Sequence, residues 1–186
     1  MPNLLLKDLP RYECLLEAAQ RYPELDPSAS EVFLHLLRAG DEVSLHTEQN
    51  FAHHGISQGR FGVMIQLLAP VGNATGPAGL TPAELAERTG VTRATISGLV
   101  DTLERDGFVN RAADAHDRRM QRVCLTPKAR DFMEKLLPEH FQRMAALMAP
   151  LDEDERRTLV RLLTKILLHA SALNAPEQVA PALVPL

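Results

Sequence analysis

At 186 residues and 20.6 kDa, the chain has room for one domain, or one domain with an appendage, around a core of its own. Hydrophobic residues reach 45% while aromatics stop at 4% and tryptophan is absent; leucine and alanine dominate, which favours helices. No run approaches the roughly 18 apolar residues of a membrane span, the start MPNLLLKDLP lacks the basic opening and long apolar core of a leader, and Cys14 and Cys124 alone exclude a disulfide framework, so a cytoplasmic protein without a membrane partner is expected.

The net charge of −4 argues against nucleic acid only until it is divided. From Arg88 to Arg130 nine Lys/Arg stand against five acids, a local +4, whereas the remainder carries 11 basic and 19 acidic residues, or −8. A basic stretch on an acidic body directs nucleic acid to one face.

Residues 11–22, RYECLLEAAQRY, read as a short helix ended by Pro23, with Leu15, Leu16, Ala19 and Tyr22 able to cover another helix or a partner subunit. Asp26-Pro27 opens a long helix, with cap and first-position proline in the preferred order. Val32, Phe33, Leu36, Leu37, Val43, Leu45 and Phe51 give it a broad apolar face, and it closes near Gly55. Ser57 caps the next helix, whose face is Phe61, Met64, Ile65 and Leu68 before Pro70. Residues 71–79, VGNATGPAG, form a glycine-rich loop.

Thr81-Pro82-Ala83-Glu84 combines a side-chain cap, a proline at the first helical position and a capping-box glutamate. Gly90 stops this helix, and Thr92 caps another. Ile96, Leu99, Val100 and Leu103 then recur at the i, i+3, i+4, i+7 spacing of one buried face before Gly107. A helix, a short glycine-containing turn and a second helix make a helix-turn-helix. Thr92, Arg93, Ala94, Thr95, Ser97 and Gly98 open the second helix with mostly short side chains, which lets a helix sink into a major groove and reach base edges. The pair alone fits an ordinary amphipathic pair equally well.

The next stretch favours DNA. Residues 108–111 (FVNR) and 122–125 (RVCL) are short strand-like runs, joined by a polar connection, residues 112–121, too long for a tight hairpin. A two-stranded wing with Arg118 and Arg119 near its tip suits the minor groove, whose negative potential attracts guanidinium groups. Asp117 is spaced to hold Arg119 by a charge-assisted hydrogen bond. Thr126-Pro127 opens a further helix, which Pro138 is expected to interrupt or kink. Asp152-Glu153-Asp154-Glu155 starts the last helix with a cap and acids suited to its dipole. Leu159, Leu162, Leu163, Ile166, Leu167, Ala170 and Leu173 form its stripe, and a proline-interrupted tail follows.

LAERTGVTRATISGLVDTLERDGFVNR followed by DAHDRRMQRVCLT resembles the MarR family of winged-helix transcription regulators. The family's wing pattern is met by Asp117, Arg119, Leu125 and Thr126, and the resemblance as a whole is close over residues 80–130 and looser from about 28 to 170. Gly98 departs from it, since many members carry a bulkier polar or basic residue there. The resemblance implies a mostly helical fold with a small β wing: a winged helix-turn-helix plus a helical dimerisation domain built from both termini. Its expected segments are dimerising helices over 1–56, the DNA-binding domain over 57–126, dimerising helices over 127–175 and a tail over 176–186. It implies a homodimer binding double-stranded DNA at a pseudo-palindromic operator, most naturally as a repressor. Thr81, Thr92, Arg93, Ala94, Thr95, Ser97, Asp117, Arg118 and Arg119 are the expected DNA contacts.

No nucleotide loop, serine elbow or His-Glu-x-x-His pair is present, so no catalytic residue or cofactor is expected. Regulators of this shape sense small molecules where the long helix and its successor meet the reading head. There His53, His54, Arg60, Phe61 and Met64 supply rings and convergent polar groups, with Arg60 able to fork onto a carboxylate. A small aromatic acid such as a hydroxylated nicotinate or benzoate is the expected effector. The alternatives are zinc sensing through the histidines, for which no ligand set at typical spacing is visible, thiol sensing at Cys14, which lacks an evident activating base, and a helical protein-interaction module.

Overall fold

The computed structural model describes residues 4, 8–68, 79–113 and 120–173. In chain order the described elements are α1 (Tyr12–Arg21), α2 (Pro27–His53), α3 (Gln58–Leu68), α4 (Pro82–Thr89), α5 (Arg93–Arg105), β1 (Val109–Ala113), β2 (Gln121–Leu125), α6 (Pro127–Leu147) and α7 (Glu153–Leu173). The fold is mostly helical with one small antiparallel sheet. Two compact units emerge, Met1–Leu136 and Leu137–Leu186, with the division inside α6. The first reaches beyond a reading head ending at residue 126, because Ala129, Met133 and Leu136 of α6 are buried in its core.

The helix starts follow the local chemistry. The Asp26 side chain accepts the Ala29 N–H at 3.0 Å, which holds its carboxyl below the usual range. At α4 both halves of the capping box close: Glu84 N–H to Thr81 Oγ1 at 3.2 Å, and Thr81 N–H to Glu84 Oε2 at 2.7 Å. Gly90 takes the left-handed conformation (φ 68°) that ends α4 without cost to a side chain. In the second unit Asp152 and Glu155 form another reciprocal cap on α7, at 2.8 and 2.9 Å.

The core of the first unit gathers Phe51 from α2, Val63 and Met64 from α3, Leu85 from α4, Ile96, Val100 and Leu103 from α5, and Val109 and Val123 from the strands. The sheet pairs Val109 with Leu125 through Ala113 with Gln121. Leu80 extends it by one bridge, exchanging both backbone hydrogen bonds with Val123 at 2.8 and 3.1 Å. Each strand is one residue longer than its sequence run, β1 beginning one residue later and ending two later, and β2 beginning one residue earlier.

Pro138 does not interrupt α6, which continues from Pro127 to Leu147. A proline nitrogen forfeits one helical hydrogen bond, and here the turns on either side sustain the helix with the ring on an exposed face. No residue of α7 is buried, and Leu162, Ile166 and Leu167 are 45%, 40% and 67% exposed.

Candidate nucleic-acid interface

α5 has two faces of opposite character. Ile96, Val100 and Leu103 are wholly buried against the rest of the first unit. Arg93, Ala94, Thr95, Ser97 and Gly98 are exposed together on the N-terminal half. Thr92 is exposed too, and its hydroxyl caps the helix by accepting the Thr95 N–H at 3.2 Å. A helix whose outward half is short and polar, with one arginine at its start, can enter a groove as far as its backbone allows. Thr81 is placed differently: it is 7% exposed and its hydroxyl is engaged in the α4 cap, so its part is to fix α4. Asp117, Arg118 and Arg119 lie outside the described residues.

The sequence reading misses the ties by which three arginines hold this surface in shape. Arg111, on β1, forks onto Asp101 and Glu104 of α5 and so ties the wing to the recognition helix; Asp101 is the main cause raising its already high pKa. Arg122, on β2, donates to the Gly79 carbonyl at 3.0 Å and approaches Glu84 at 3.6 Å. Arg60, on α3, donates to Asp106 at the C-cap of α5 at 2.5 Å. Each pair joins residues from different elements, and a one-dimensional pattern of charges carries no sign of them.

A cleft of about 900 Å³ opens beside the helix-turn-helix, with Ile56, Val63, Ile96 and Leu99 among its apolar walls and Glu48, Gln66 and Arg88 among its polar ones. The five residues expected to meet an effector do not line it. Met64 is fully buried, Phe61 stacks on Phe51 with centroids 4.4 Å apart, and Arg60 is held by Asp106. His53 is exposed and His54 half-buried, their rings edge-on at 5.5 Å. Among the described residues, no three His, Cys, Asp or Glu side chains converge as a metal would need, and no helix is long and apolar enough to cross a membrane.

Known proteins resemble the chain over most of its length. A model of the MarR family matches residues 65–120. The HTH-type transcriptional repressor YetL of Bacillus subtilis (strain 168) is 35% identical over 158 residues, covering 85% of this chain and 92% of YetL. Among solved structures, a probable transcriptional regulator from Pseudomonas aeruginosa is 26% identical with a TM-score of 0.61, over 73% of this chain and 96% of that one. BpsR of Bordetella bronchiseptica, whose DNA binding is regulated by 6-hydroxynicotinic acid, is 26% identical with a TM-score of 0.60, over 71% of this chain and 90% of its own. A buried-backed recognition helix, a wing tied to it by Arg111 and similarity spanning both make this chain a member of the MarR family of winged-helix, DNA-binding transcriptional regulators, and not an enzyme.

Proposed function

We propose that the protein is a cytoplasmic homodimeric repressor that binds a pseudo-palindromic operator and releases it when a small aromatic acid occupies the cleft. The observation that carries the DNA reading is the exposed run from Arg93 to Gly98 on a helix whose opposite face is buried. Arg118 and Arg119, held by Asp117, would enter the minor groove beside it. The dimer is supported in each unit by apolar side chains left in water: Leu16, Phe33 and Leu45 in one, Leu162, Ile166 and Leu167 in the other. A twofold pair of reading heads matches half-sites about one helical turn apart.

Selection from a pool of duplexes is expected to yield one inverted repeat, bound by two chains. Its affinity should fall about 10³-fold or more between roughly 50 and 200 mM salt, as six or more neutralised phosphates release counterions. Protein that enriched no sequence and bound equally at both salts would sink the proposal.

The effector part rests on the position of the cleft. Ile96 and Leu99 belong both to its wall and to α5, so a bound molecule would press directly on the recognition helix. A ligand changes DNA affinity only through unequal affinity for the binding and non-binding shapes, and contact with α5 supplies that inequality. Arg88 lines the cleft and would take the carboxylate, with Gln66 available to a ring nitrogen or hydroxyl. Regulation of the related BpsR by 6-hydroxynicotinic acid supports this ligand class. Hydroxylated nicotinates and benzoates titrated against the protein–duplex complex are expected to release DNA. Arg88→Ala should raise the concentration required by about tenfold or more, the worth of one charge-assisted hydrogen bond. Release by zinc alone would favour metal sensing, and an unchanged Arg88→Ala response would remove Arg88 from the site.

A further inference from the structure

We propose that Arg60 is a positioning residue for DNA reading, which fixes the tilt of α5 by holding its C-terminal end through Asp106. The proposal rests on the reading role of α5. Arg60 is a poor candidate for an effector's carboxylate because a carboxylate already occupies it: Nη2 donates to Asp106 Oδ2 at 2.5 Å, with the side chain only 16% exposed. The guanidinium also lies 5.8 Å from the centre of the Phe108 ring.

Asp106 ends α5, and the corner it begins is held from several directions. Its second oxygen accepts from Arg105 Nε at 3.3 Å, and its backbone carbonyl accepts from Lys128 Nζ at 2.7 Å. Lys128 in turn sits 4.8 Å from the centre of the Phe108 ring, which lies against Phe132. Phe108 N–H closes the corner onto the Leu103 carbonyl at 2.8 Å. Arg105 beside Asp106 is the main cause keeping that carboxyl below its ordinary range, opposed by burial and aided by Arg60.

The second contact of α3 with α5 is next door in sequence. A Cβ at Gly59 would meet Leu99 Cδ2 at 3.2 Å, so the bare glycine marks a close approach of the two helices. α3 therefore touches α5 at Leu99 and again at Asp106, about 10 Å apart along the axis at 1.5 Å per residue. Ile96, Val100 and Leu103 seat the inner face of α5 and Arg111 ties Asp101 and Glu104 to β1, while Arg60 holds the C-terminal end of the helix. With the Asp106 tie released, the helix turns about the contact at Leu99, about 9 Å from Arg93 by the same rise, so a tilt of about 6° moves Arg93 by about 1 Å. That is enough to spoil the distance and angle of a hydrogen bond to a base edge. Sequence-independent phosphate contacts are far less demanding of geometry.

The test uses the full-length protein, the duplex it selects and a scrambled duplex of equal length, with Arg60→Ala, Arg60→Lys, Asp106→Asn and the double variant Arg60→Ala/Asp106→Asn. Arg60→Ala should weaken binding to the selected duplex by roughly tenfold, within the range of coupling between contacting charged pairs. Binding to the scrambled duplex, the salt slope and the oligomeric state should match wild type. Asp106→Asn keeps the shape of the corner and should show the same split, which preserves the test if Arg60→Ala folds poorly. The double variant should be no worse than the more affected single one. Arg60→Lys, which retains the charge without the fork, should recover part of the loss. Equal weakening on both duplexes, additive effects, or unchanged affinity in Arg60→Ala and Asp106→Asn would overturn the proposal. So would an Arg60→Ala protein that reads DNA normally and ignores the aromatic acid. Wild-type protein with no preferred duplex would take the DNA reading down first, a result distinguishable from failure of the Arg60 variants alone.

Discussion

Gly79→Ala is expected to destabilise the first unit by roughly 2–5 kcal/mol, combining a left-handed backbone imposed on a residue with a side chain and an overfilled contact. Gly79 has φ 85°, and a Cβ there would lie 2.4 Å from the Val123 carbonyl oxygen and 2.6 Å from Cys124 Sγ. The first neighbour is backbone within a paired strand and cannot step aside as a flexible side chain would. Moving the glycine instead would strain the bond from Arg122 to its carbonyl and the Leu80–Val123 bridge that follows. Chemical denaturation of the two proteins at equal concentration provides the measurement. A Gly79→Ala midpoint within error of wild type would show that the segment has room the geometry denies it.

Leu103→Ala should cost about 2–5 kcal/mol of stability, as removal of a fully buried leucine leaves a cavity that the surroundings fill only in part. Leu103 has no exposed surface and stands on the inner face of α5. Ser97→Ala, on the outer face of the same helix, is exposed and should change stability by no more than about 0.5 kcal/mol. Its cost should appear in duplex affinity instead, at up to about 1–3 kcal/mol if the hydroxyl meets a base. Denaturation and duplex binding measured side by side separate the two faces. Large stability losses at both positions would mean that α5 has no outward reading face.

The reading head was legible in the sequence because its signals are local. Thr81, Glu84 and Gly90 close α4 through partners within four residues, and Ile96, Val100 and Leu103 lie on one stripe by helical period alone. The strands were found at their centres but shortened, since β pairing depends on the other strand: Ala113 is held by Gln121, across the wing. The cleft was the least legible part. His53, His54, Arg60, Phe61 and Met64 lie close in sequence, but they divide between the end of α2 and the turns of α3, which spreads their side chains in different directions. Met64 goes to the core and Arg60 to Asp106, whereas the cleft takes Ile96 and Leu99 from a helix more than thirty residues onward. Arg88 looked like one basic residue among nine, and only the folding of α4 beside α3 brings it to the cleft.

The wing is fastened at its root. Leu80 bridges Val123, Arg122 reaches the Gly79 carbonyl, Arg111 grips α5, and Thr126 donates to the Gly107 carbonyl at 2.8 Å. None of these fastenings uses the exposed residues from Arg93 to Gly98 on α5. Exchanges there leave the anchorage of the sheet as it is, since surface substitutions away from structural contacts cost little. A lineage of such proteins can therefore change what that face of α5 meets while inheriting the same scaffold.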